Sequence, residues 1–124
     1  MKIPHAAIVS IAMVCHEANK AWCAVNGDPS QRGWRESQEW QRLQAIRGVG
    51  YLVSHPDAPE SALHDNWVAD MVSSGWSLGP VKNPVLQTHP NIVPFELLPP
   101  VQQAKDKLFA AIVKALLPVE DAQP

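Results

Sequence analysis

The sequence predicts a mainly α-helical protein with a small β-ribbon, an α+β arrangement of about four helices packed around a short two-stranded antiparallel hairpin. Three observations predict it. Four stretches repeat apolar residues at helical spacing. A proline-rich interval almost free of charge separates the third from the fourth. Within that interval lie two short β-prone runs, Trp76-Ser77-Leu78 and Ile92-Val93, which the surrounding prolines confine to an edge or a small ribbon.

The first helix is expected over about residues 5–26. At 100° per residue Ile8, Ile11, Cys15, Ala18, Trp22 and Val25 share one arc, and Gly27 supplies the stop signal before Asp28-Pro29. Ala12, Asn19 and Cys23 line one edge of that arc, with His16 just beyond. Small and polar groups there can form a pocket wall or a place where another helix crosses closely. A polar loop with Trp34 follows. The second helix, Trp40 to Val53, puts Leu43, Ile46, Val49, Gly50 and Val53 on one face, and His55-Pro56-Asp57-Ala58-Pro59 ends it. The third, about 59–74, gathers Leu63, His64, Trp67, Val68, Met71 and Val72 on one side, and Gly75 closes it.

From Met71 to Ala104 only Lys82 and Glu96 carry formal charge, while Pro80, Pro84, Pro90, Pro94, Pro99 and Pro100 punctuate the chain. Pro99-Pro100 opens the last helix, whose expected buried stripe is Val101, Ala104, Leu108, Ile112 and Ala115. Pro118 ends it, and the tail to Pro124 is expected to fray. With 124 residues and no internal repeat, the chain reads as a single domain, 1–124, with its core in about 8–117.

Composition narrows the function by exclusion. The chain is 46% hydrophobic and 18% charged, which excludes disorder. A net charge of −2 excludes a binder of polymeric nucleic acid that relies on general basic character. Cys15 and Cys23 fall eight residues apart on one helix, about 12 Å along its axis. A disulfide needs Cα atoms within about 7 Å, so both are read as free thiols in a reducing compartment. The run Ala6–Cys15 behind Lys2 lacks the charge and cleavage-site residues of a secretory signal, and no stretch is long enough to span a bilayer. A cytoplasmic location and no membrane partner are expected.

Catalytic patterns are missing. None of the five histidines has the i, i+4 spacing of a helical chelate, and no cysteine pair has zinc-site spacing. Gly48-Val49-Gly50 falls inside a helix with no preceding strand, so it makes no phosphate cradle. Ser73, Ser74 and Ser77 lack a nucleophile-elbow context, and Cys15 faces the core, where thiols are inert. No enzyme, metal or cofactor is expected. What remains is His64-Asp65-Asn66-Trp67, followed by Gly75-Trp76 and an uncharged loop. His64 reads equally as a core histidine satisfied by a backbone carbonyl or as a site residue. Trp67 and Trp76 read as core or as stacking faces.

The combined pattern His64-x-x-Trp67, Gly75-Trp76-x-x-Gly79-Pro80-Val81-Lys82, His89-Pro90 and Val93-Pro94-Phe95-x-x-Leu98 resembles the RyR domain, the repeat that occurs as tandem pairs in ryanodine receptors. The opening Val14-Cys15-His16-Glu17-Ala18-Asn19 resembles the single-copy bacterial and phage versions. The resemblance spans roughly residues 8–117 and implies a non-catalytic fold of helices on a small ribbon. It further implies a nucleotide-derived ligand, of adenine nucleotide or ADP-ribose type, stacked on Trp67, with a homodimer bringing two such rings together. In a single-copy protein it implies a sensor or sponge in phage–host conflict. The ligand-binding set on this reading is His64, Trp67, Trp76, Lys82, Asn83, His89, Met71 and Asn19. The chain departs from the usual family residues at Met71 (commonly Lys), Leu78 (Tyr), Asn83 (Asp) and Gln87 (Lys), each change removing a charge or a hydroxyl. The rival reading is a protein–protein interaction domain without a small-molecule ligand.

Overall fold

The structure, a computed structural model, describes residues 3–117. Its elements are α1 (His5–Val25), α2 (Glu39–Ser54), α3 (Ala62–Ser73), β1 (Ser77–Leu78), β2 (Thr88–His89), a 3₁₀ turn at Phe95–Leu97 and α4 (Pro100–Leu116). Lys2, Pro118 and the tail to Pro124 lie outside the described residues. The chain divides into two compact units: one runs to Pro56 and resumes at Lys107, and the other is Asp57–Asp106.

In the first unit α1 packs on α2, and the core is Ile11, Ala12 and Cys15 from α1, Val49 from α2 and Val113 from α4. Ala12 is 0% exposed and Gly48 is buried, so the small-residue edge of α1 is where a helix crosses. The buried face is therefore rotated from the expected arc towards Ala12 and Cys23, leaving Val25 85% exposed. α4 shows a similar rotation. Val113 is buried with Phe109 and Ile112 beside it, whereas Val101 and Ala115 are exposed. Its residues serve both units, so one stripe does not describe it. The loop between α1 and α2 is tied down around Trp34. Glu17 accepts the Trp34 amide at 2.7 Å, the His16 ring nitrogen Nε2 donates to the Arg32 carbonyl at 2.7 Å, and Arg42 donates to the carbonyls of Trp34 and Ser37.

The two helix stops that the glycines signal are both Schellman closures. At α1 the Asp28 and Gly27 amides return to the carbonyls of Cys23 and Ala24, with Gly27 at φ 93°. At α3 the Trp76 and Gly75 amides return to Met71 and Val72, with Gly75 at φ 96°.

The ribbon corrects the sequence expectation. β1 and β2 are parallel, with Ser77 opposite Thr88 and Leu78 opposite His89, so there is no antiparallel hairpin and Ile92-Val93 is not its second strand. The reason is two successive reversals. After β1 the chain turns through Gly79-Pro80 and comes back to Asn83. It then turns again through Pro84-Val85-Leu86-Gln87, with Gln87 at φ 55°, and so regains its first direction. Asn83 and Thr88 exchange both backbone hydrogen bonds, at 2.9 and 3.1 Å, as an antiparallel bridge. The neighbouring carbonyls of Gln87 and His89 accept from Ser77 and Gly79 of the other segment. Ile92 and Val93 sit between Pro90 and Pro94, neither of which can donate to a ladder.

Candidate functional site

Within the Asp57–Asp106 unit, α3 projects His64 and Trp67 onto the same side, one turn apart. His64 is 6% exposed, and its Nε2 lies 2.7 Å from the Val93 carbonyl, which makes Nε2 the protonated nitrogen. The other nitrogen, Nδ1, faces Asp106 Oδ2 at 3.9 Å. That oxygen is buried and has no hydrogen-bond partner. Burial pushes the Asp106 carboxyl above the usual carboxylate range, against the opposing pull of His64 and Lys105.

Aromatic rings continue the cluster. Trp67 stacks on His64 with centroids 5.6 Å apart and 29° between planes, and Phe95 lies 6.2 Å from His64 at a tilt of 58°. His89, brought by β2, meets Trp67 edge-on at 5.0 Å and 75°. Its Nδ1 accepts the Asn91 amide at 3.0 Å. Burial, then the charges of Lys82 and His64, hold the His89 ring below the ordinary histidine range.

The structure thus joins His64, Trp67 and His89 in one cluster and distributes the other expected residues differently. Met71 is buried, and its carbonyl closes the end of α3 on the Trp76 amide. Trp76 is half-buried. Asn83 Oδ1 accepts the amides of Val85 and Leu86, so that oxygen serves its own turn. Lys82 is exposed on the loop and acts on His89 through its charge. Asn19 lies on α1, in the other unit. Sequence reasoning missed Asp106, and it placed Phe95 in the Val93-Pro94-Phe95 pattern without assigning it to the site. Asp106 was findable: it sits three residues before Phe109 and seven before Val113, on the buried line of α4.

Among the described residues no group of three or more His, Cys, Asp and Glu side chains is arranged to hold a metal ion. Cys15 and Cys23 are free and buried, and burial pushes the Cys15 thiol up to about 11. Nor is any helix among the described residues long and apolar enough to cross a membrane.

The model of the RyR domain family matches residues 57–120, just over half of the chain. The chain belongs to the RyR domain family. The match takes in His64, Trp67, the Gly75-Trp76 closure, the ribbon and His89, while the likeness at Val14–Asn19 falls outside it. No curated protein matches the chain.

Proposed function

We propose that this RyR domain is a non-enzymatic binding module for a flat polar small molecule of nucleotide type. The observation that carries the reading is Trp67. It is a half-buried indole in contact with two imidazoles, one stacked and one edge-on, with the exposed Lys82 close enough to act electrostatically on one of them. An indole supplies a stacking face worth about 1–3 kcal/mol per base. His89, whose proton resides on Nε2 while Nδ1 accepts from Asn91, supplies a donor, and Lys82 supplies charge for a phosphate. His64 and Met71 are both buried, and His64 backs Trp67 by stacking on it, so neither is assigned a ligand contact. One ring gives weak binding, so a homodimer presenting two Trp67 rings fits micromolar affinity, near −8.2 kcal/mol. A sensor or sponge for nucleotide-derived signals in phage–host conflict is the biological role this chemistry suits.

A second reading has its own observation. Leu78, Val81, Val85 and Leu86 are all exposed around the ribbon, Val85 at 90%. Such residues favour a protein-interaction surface.

A thermal-shift series with adenine nucleotides and ADP-ribose separates the two. Ligand at 100 times its Kd stabilises by about 2.7 kcal/mol. On the binding reading the shift appears, Lys82→Ala weakens a phosphorylated ligand more than its nucleoside, and light scattering reports a dimer. Folded protein with no shift across the series overturns that reading in favour of the interaction surface.

A further inference from the structure

The turn that leaves β2 is held by a bond that only one protonation state of its histidine can make. His89 Nδ1 accepts the Asn91 amide at 3.0 Å, and an acceptor nitrogen must keep its lone pair. The imidazolium carries N–H at both positions, so protonation sets one donor against another. Two residues beyond Asn91, the Val93 carbonyl accepts from His64 Nε2 at 2.7 Å. Within residues 89–93, Asn91 is therefore held by one imidazole and Val93 by another, and both rings pack against Trp67. From these contacts we propose that residues 89–93 form an acid-sensitive latch, closed while His89 is neutral and released when Nδ1 is protonated.

The surroundings bias the latch towards closure at neutral pH. The groups acting on His89 are Lys82, from the loop between β1 and β2, and His64, from α3, and each is cationic when charged. The carboxyl of Asp106, from α4, faces His64. A ring held below its ordinary range stays neutral until the pH falls beneath about 6.5, the value of an unperturbed histidine. Release alters the edge-on contact that His89 makes with Trp67, whether or not Trp67 receives a ligand.

Nitrogen-15 long-range correlation spectra of the intact protein, titrated from pH 8 to pH 5 alongside amide exchange, test this directly. The expected result has His89 as the Nε2–H tautomer at pH 8. Asn91 protection, relative to its intrinsic exchange rate, should then fall about tenfold as the ring titrates, the scale of one hydrogen bond. The Trp67 indole N–H should shift with the same midpoint, below 6.5. An Nδ1–H tautomer at pH 8, or Asn91 protection unchanged through the titration of His89, overturns the proposal.

Discussion

Gly79 is where the ribbon tolerates least. A Cβ placed there would lie 2.5 Å from Thr88 Cβ, 2.9 Å from its Cγ2 and 3.0 Å from its Oγ1. Neither residue can step aside cheaply. Gly79 donates its amide to the His89 carbonyl, while Thr88 is bonded through its backbone to Asn83 and through its hydroxyl to the Val81 carbonyl at 3.1 Å. Gly79→Ala should therefore cost the ~1–3 kcal/mol of an overpacked site. With an unfolding entropy of about 2.1 cal/mol/K per residue, a 124-residue chain loses about 4 °C of Tm per kcal/mol, so a drop of roughly 4–12 °C is expected. Gly50 is the internal control. Nothing lies within 4 Å of a Cβ built there, and it sits inside α2, where alanine is favoured by about 0.5–1 kcal/mol. Gly50→Ala should raise the Tm by roughly 2–4 °C. A double-mutant cycle with Thr88→Gly should return a coupling of about 1 kcal/mol or more in the relieving direction. Gly79→Ala melting with wild type, or strict additivity in the cycle, would refute the close approach of β1 and β2.

Two further outcomes follow from the titrating groups. Asp106 has a raised folded-state pKa, so its contribution is fully present below the unfolded value and is lost as pH rises through the folded one. Asp106→Asn should raise the Tm at pH 7 and leave it near wild type at pH 3, as paired calorimetric scans would show. Cys15, protonated at neutral pH and buried, should resist a thiol reagent in the native protein and react once the chain is unfolded in urea.

What was legible in the sequence is what the chain encodes locally. Gly27 and Gly75 announce the ends of α1 and α3 because a left-handed residue is needed at each closure, and glycine adopts it without strain. The apolar spacings locate the helices to within a few residues at each end. The direction of the ribbon was not legible. It depends on two reversals, the second sealed by Asn83 and Thr88, and only their combination decides that β2 runs alongside β1 rather than against it. The cluster divides in the same way. His64 and Trp67 are one helical turn apart and visible together. The partners of His64 are a backbone carbonyl 29 residues away, which has no side-chain signature, and an acid on another helix. The rotation of the α1 face came from Ala12 and Cys23, small residues whose size allows close packing that a count of large apolar side chains does not register.

The first unit is assembled from two separated pieces of chain, and that has a consequence during synthesis. Its α1 and α2 are complete by Ser54, yet Phe109, Ile112 and Val113, which finish the core around Ala12 and Val49, are added more than fifty residues later. At the usual pace of about 5–20 residues per second, the helical pair waits some 3–11 s with an uncovered apolar flank. A chain stalled with α1 and α2 outside the ribosomal exit tunnel and Val113 still inside it should be a holdase substrate. One tethered by a linker that brings Val113 outside the tunnel should not.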